Sequence, residues 1–180
     1  GLTNPASREY LEEDVRRVFS NGEAAFALNW TYMNAMANDP AESKVAGKVK
    51  VTSAPGVEGK SVASGVNGSM GLGIPANSPH ADEAWKYISH LTDQSVQETY
   101  SKLSLPIWKA SYDNPTVAEG QEDLITAAKQ SIAVMYPRPL VPAYTEVSDI
   151  LQKNLHKALL GETSVDDALT AAAQRVERIR

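Results

Sequence analysis

Between residues 136 and 142 the chain reads Tyr-Pro-Arg-Pro-Leu-Val-Pro. Each proline fixes φ near −65°, withholds a backbone N–H and pushes the residue before it out of the helical region. No helix can cross this segment, so the helical pattern before it and the one after it must be separate elements. The first carries Leu124, Ile125, Ala128, Ile132 and Met135 at helical spacing. The second carries Tyr144, Val147, Leu151, Leu155 and Ala158 and is expected to stop at Gly161, a glycine just past a helix end. A last helix, capped near Thr163, follows with Val165, Leu169, Ala172 and Val176. Arg138 is pinned between two rigid residues.

Toward the N-terminus the periods are mixed. Asn4-Pro5 is a cap followed by a proline suited to the first helical turn, and Leu11, Val15, Val18 and Phe19 predict one helix from about Pro5 to Asn21, closed by Gly22. The apolar run Ala24 to Leu28 is too short for a helix and reads as a buried strand leading to a small helix over Tyr32 to Asn38. Lys48 to Thr52 alternates polar and apolar, the period of a half-buried strand, and an extended, glycine-rich stretch runs from Ser61 to Ile74. From Ser78-Pro79 the period returns to 3.6, with Ala84, Trp85, Ile88 and Leu91 on one stripe and a short helix expected over Ser95 to Lys102. Turn residues fill 105 to 115. The pattern predicts a helix-rich α/β fold, a small sheet covered by helices.

With 180 residues, 42% hydrophobic and 22% charged, the chain has the composition of globular proteins and the length of one or two small domains. It contains no cysteine, which excludes disulfides, thiolate nucleophiles and cysteine-ligated zinc. A formal net charge of −5 argues against nucleic acid as a partner, since backbone binding needs clustered Lys and Arg. No apolar run approaches the roughly 18 residues of a spanning helix. The chain opens on Gly1 rather than Met, so a processed protein, a tag remnant or an excised fragment is expected.

Chemical motifs are scarce. His80, His90 and His156 have no metal-ligand spacing. Gly71 to Ala76 fits the letters G-x-G-x-x-A without the strand and immediate helix that a dinucleotide site requires. The acid pairs Glu122-Asp123 and Asp166-Asp167 fall in first helical turns, where the macrodipole accounts for them. The sequence therefore offers no catalytic constellation, no metal site and no cofactor.

Three features remain. Trp30, with Tyr32 two residues on, follows the apolar run; Asn67, Gly68, Ser69 and Met70 offer small polar groups and bare amides; Arg138 stands between prolines. Each has a structural alternative: a core anchor for the tryptophan, tight packing for the glycine segment, a helix-capping cation for the arginine. Taken together they suit a carbohydrate cleft. An aromatic ring lies against the CH face of a pyranose, a guanidinium fork serves hydroxyls, and glycine lets backbone approach the sugar. None of the set performs covalent chemistry.

The order of these segments resembles a known family, the extracellular solute-binding proteins of sugar-specific ABC importers, of maltose/trehalose type. The matching stretches are Phe19-Ser20-Asn21-Gly22-Glu23-Ala24-Ala25-Phe26 leading to Asn29-Trp30, Ser53-Ala54-Pro55-Gly56, the run from Val66 to Pro79 followed by Ala84-Trp85, Pro137-Arg138-Pro139 with Pro142-Ala143-Tyr144, and Leu160-Gly161 with Ala168-Leu169. The resemblance implies the C-terminal portion of a two-lobed (type II) periplasmic binding protein, which closes on a sugar by hinge bending. Residues 1–70 and 116–180 would form the C-terminal lobe, and 71–115 an excursion into the N-terminal lobe. It implies a carbohydrate ligand held by Trp30, Tyr32, Asn67, Gly68, Ser69, Met70 and Arg138. It also implies ABC permease subunits and the rest of the N-terminal lobe as partners, and a periplasmic, extracellular or lipid-anchored location. Without that lobe, weak binding and self-association are expected.

Two other classes compete. A sugar-modifying enzyme would need paired carboxylates across the sugar, and neither 67–70 nor 136–144 contains an acid. A helical protein–protein adaptor would need no cleft at all.

Overall fold

The computed structural model describes residues 3–179. The chain divides into two compact units, Gly1–Tyr136 and Pro137–Arg180.

In the first unit, Asn4 caps a short 3-10 turn, Pro5–Glu9, by accepting from the Ala6 N–H at 2.9 Å. The single helix expected from Pro5 to Asn21 is interrupted. Tyr10 and Leu11 are extended, and the Leu11 N–H donates to the Asp14 carboxylate at 3.2 Å, which starts a new helix, α1, Glu12–Ser20. Its end follows the sequence. Gly22 takes φ +81°, its N–H donates to the Phe19 carbonyl and the Glu23 N–H to that of Val18, a left-handed closure only glycine makes without cost. Helix α2, Met33–Asn38, buries Met33 and Ala37 and packs on α1.

The sheet is smaller than the pattern implied. Strands β1 (Ala54–Pro55) and β2 (Ala63–Ser64) form an antiparallel hairpin. Glycine is obligatory at its turn, where a Cβ on Gly56 would lie 1.8 Å from the Ser61 carbonyl oxygen. Strand β3, Val66–Asn67, pairs where the chain returns at Tyr136, whose N–H donates to the Gly65 carbonyl at 2.9 Å.

Two expected strands are absent. Ala24 to Leu28 is irregular, with no ladder partner among the described residues, and Phe26 and Leu28 are 93% and 81% exposed instead of buried. Lys48 to Thr52 keeps its alternation, with Val49 and Val51 half-buried, yet the Val51 N–H donates at 2.8 Å to the Asp123 carboxylate. A side chain there replaces the neighbouring strand.

Helix α3, Ala81–Leu91, is followed by α4, Gln94–Thr99, which Asp93 caps through the Ser95 and Val96 N–H groups. Ala84, Ile88 and Leu91 are half-buried as the stripe predicts, whereas Trp85 faces solvent. A 3-10 turn, Lys109–Asp113, leads into the short helix α5, Pro115–Ala118, and then α6, Glu122–Val134. The main core lies here: Tyr112, Val117, Ile125 and Ala128, flanked by Leu105, Ala118 and Ile132. Val117 and Ile125, nearly fully buried, each contribute about 1.5–3 kcal/mol by leaving water. The extended segment rests on α6 through Val51 to Asp123 and Ser53 to Gln130.

Polar groups stitch this core. Glu98 on α4 accepts from the Ser111 hydroxyl at 2.7 Å, the Gln94 amide at 2.9 Å and the Asn114 amide at 2.8 Å, and Ser111 is 0% exposed. Gln121, buried, donates to the Val117 and Ser101 carbonyls. Lys102 reaches the carbonyls of Val117 and Glu119 at the end of α5.

The chain enters the second unit through β4, Tyr136–Pro137. The unit itself is a helical hairpin, α7 (Tyr144–Leu159) and α8 (Val165–Val176). Gly161 at φ +76° closes α7 with the same bond pattern as Gly22, and Ser164 caps α8 by accepting from the Asp167 N–H at 3.1 Å. Ala168 and Ala172, one turn apart and buried, let α7 approach closely.

The bonds to Glu98, that from Ser111 first, hold its carboxyl below the ordinary glutamate range. A depressed folded-state pKa adds stability that is complete above the unfolded pKa of about 4.3 and fades as pH falls through the folded value. Glu98→Gln should therefore lower the urea midpoint at pH 7, and the gap to the native chain should close toward pH 3. Tryptophan fluorescence reads this unit alone, since all three tryptophans lie in it. An equal gap at both pH values would refute the assignment.

Candidate functional site

The segment carrying Trp30 is held by its own side chains. Asn29 folds back so that its Oδ1 accepts from the Trp30 N–H at 2.7 Å while its Nδ2 donates to the Glu12 carbonyl in the first turn of α1 at 2.8 Å. The Trp30 carbonyl then accepts from the Met33 N–H as the chain turns into α2. Trp30 itself is 53% exposed. Its indole N–H has no hydrogen-bond partner among the described residues, whereas that of Trp108 is committed to the Thr92 carbonyl at 2.7 Å. Within this chain Trp30 is thus not a buried core residue, and it presents an aromatic face with an open donor.

Tyr32 behaves differently. It is half-buried and its hydroxyl donates to Glu13 Oε1 at 2.5 Å. The other carboxylate oxygen of Glu13 accepts from Arg16 Nε at 2.7 Å. The tyrosine hydroxyl and then the guanidinium stabilise the Glu13 anion and lower its pKa, while the same carboxylate raises that of Tyr32.

Asn67 to Met70 leaves the β3 pairing as an exposed turn. The Asn67 side chain accepts from the Ser69 N–H at 3.0 Å, a local bond that asparagine supplies in place of a ladder. Ser69 and Met70 are exposed and Gly68 is half-buried. These six residues belong to the first unit. Arg138 belongs to the second, is exposed, and makes no ion pair or side-chain hydrogen bond among the described residues.

Two shallow hollows of about 440 Å³ and 720 Å³ lie at Pro115–Glu122 and Pro55–Val62, and neither touches Trp30, Tyr32 or the 67–70 turn. No group of three or more His, Asp or Glu side chains is placed to hold a metal ion among the described residues. The Gly71 to Ala76 segment is irregular, and α3 starts only at Ala81. The Glu13–Tyr32 pair is the element the sequence reading overlooked: an acid at one end of α1 and a tyrosine nineteen residues later give no periodic signal.

Residues 1–98 match the family model described as bacterial extracellular solute-binding protein. A Deinococcus radiodurans relative described as an ABC transporter-binding protein is 28% identical over 199 residues, covering 100% of this chain and 44% of the relative. A binding protein of Brucella abortus (strain 2308) is 23% identical over 189 residues, covering 99% of this chain and 43% of its own length. Among solved structures, maltose-bound MalE3 of T. maritima aligns with a TM-score of 0.82 and 32% identity, over 99% of this chain and 46% of that one. The helix-rich α/β fold is thus that of a MalE-type binding protein, and the chain spans less than half the length of these relatives. The family and these relatives are described as binding proteins, not enzymes. By sequence and by fold, the chain belongs to the bacterial extracellular solute-binding proteins.

Proposed function

We propose that this chain carries part of the sugar site of a receptor that captures a mono- or oligosaccharide and delivers it to an ABC import permease, in the periplasm or at the outer surface, by lipid tether or free. The observation that carries the reading is Trp30: half exposed, its indole N–H open, its backbone fixed on both sides. An aromatic so held stacks on the apolar face of a pyranose and donates to a hydroxyl. MalE3 of T. maritima was solved with maltose bound, which makes a glucose-containing oligosaccharide the first ligand to try here. In this reading Trp30, Tyr32, Asn67, Gly68, Ser69, Met70 and Arg138 line the ligand side. An enzyme reading has no support, since the family and the relatives are described as binding proteins.

Calorimetric titration with maltose and trehalose tests the reading. Trp30→Ala should weaken binding about three- to tenfold, the equivalent of about 0.7–1.4 kcal/mol of lost stacking. Arg138→Ala should also weaken it. Unchanged affinity in Trp30→Ala would remove the tryptophan from the site. Exposed Phe26, Leu28 and Leu140 favour self-association of the chain, which light scattering reads as a concentration-dependent mass.

The lobe assignment, 1–70 with 116–180 against an excursion over 71–115, is part of the same proposal. Residues 68–77 support a crossing there, because they form neither helix nor strand and both Gly71 and Gly73 lie in open space. The return is less marked, since Tyr112 and Val117 share one cluster. Native-state hydrogen exchange should show 71–115 opening as a unit apart from 1–70. Opening of 71–136 together would move the return to the end of α6.

A further inference from the structure

Trp30 owes its position to groups outside its own ring. On one side, Asn29 joins the Trp30 N–H to the Glu12 carbonyl; on the other, Tyr32 ties the chain to Glu13, one residue further along the same helical turn. Both tethers end on the first turn of α1, seventeen and nineteen residues back in sequence. Arg16, one turn on, holds the Glu13 carboxylate at 2.7 Å, so the second tether ends on a fixed acceptor. The backbone on either side of Trp30 is thereby clamped while the ring stays half exposed and unbonded.

We infer that Asn29 and Tyr32 are positioning residues that clamp the Trp30 segment to the first turn of α1, with Glu13 as the acceptor that holds Tyr32. The inference deepens the sugar-receptor proposal and rests on it, because a clamp on Trp30 affects binding only if Trp30 meets the ligand. It also reassigns Tyr32. Its hydroxyl is committed to Glu13 and acts through the clamp, leaving Trp30 as the member of the pair that offers its ring and N–H to a sugar. A stacking ring fixed before the ligand arrives loses less freedom on binding, which is where the affinity is gained.

The test uses the full chain labelled with 5-fluorotryptophan and followed by 19F NMR. Its three resonances belong to Trp30, Trp85 and Trp108, and Trp30→Phe assigns the first. Tyr32→Phe and Asn29→Ala should each shift and narrow the Trp30 resonance as the ring gains motion, with the Trp85 and Trp108 resonances and the far-ultraviolet circular dichroism unchanged. Glu13→Gln should give a smaller effect in the same direction, since the amide still accepts from the tyrosine. In parallel, maltose affinity should fall about three- to tenfold in Tyr32→Phe and Asn29→Ala. A Trp30 resonance unaltered in both variants overturns the clamp, whatever maltose does. Tyr32→Phe weakening maltose binding with the Trp30 resonance unmoved also overturns it, and makes the tyrosine hydroxyl a direct sugar contact. A mobile Trp30 with maltose affinity unchanged in all variants, Trp30→Ala included, upholds the clamp and rejects the sugar reading instead.

Discussion

Glu98 is the acceptor around which the first unit is assembled. Its two oxygens take hydrogen bonds from Gln94 in its own helix, from the buried Ser111 hydroxyl, and from Asn114, whose own oxygen caps α5 through the Thr116 N–H. One carboxylate thus fixes where α4, the 109–113 turn and α5 meet. That junction sets Val117 and Tyr112 against α6. The apolar core is small, and many large hydrophobic side chains remain at the surface, so directed polar bonds help to fix how these elements meet. Leaving a buried hydroxyl such as Ser111 unpaired would cost about 1–3 kcal/mol, which is why the acceptor matters as much as the packing.

The same economy operates in the extended part of the first unit. Asp123, in the first turn of α6, accepts from the Val51 N–H where a sheet would have supplied a carbonyl, and Gln130 meets Ser53 two turns along the same face. A carboxylate near a helix N-terminus is favoured by the macrodipole, so Asp123 serves the helix and the neighbouring segment together. Around Trp30 the pattern recurs with different residues: asparagine and tyrosine side chains, rather than a ladder, bind an irregular segment to a helix. A loop held by side chains in this way keeps its backbone amides and the Trp30 ring face open.

Much of the helical order was legible because its signals are local. Gly22 and Gly161 mark helix ends by needing positive φ, and the three prolines of 137–142 separate α6 from α7 whatever surrounds them. The Asn4 cap was also legible, yet the helix it should have started breaks at Tyr10, because Asp14 offers the Leu11 N–H a nearer start. The strand expectations failed for a different reason. An apolar run such as Ala24 to Leu28 states a preference for burial but carries no information about which edge will pair with it, and among the described residues no edge does. The site shows the same division: the residue types of Trp30, Asn67 and Arg138 were readable as suited to sugar, while the bond from Tyr32 to Glu13 was not.

By itself the sequence determined most helix ends, where prolines forbid helix, and which chemistries are absent: no thiol, no metal-ligand spacing, no acid within 67–70 or 136–144. Periodicity, caps and prolines act over four or five residues, and such terms are fixed before the chain folds. Only the tertiary structure decided which donors meet which acceptors across long separations. It joined Val51 to Asp123, Asn29 to Glu12, Tyr32 to Glu13 and Ser111 to Glu98, and it left Trp30 open while committing its neighbour. The reason is physical. A hydrogen bond's partner is chosen by distance and geometry after packing, and a residue's type says only that it will need one.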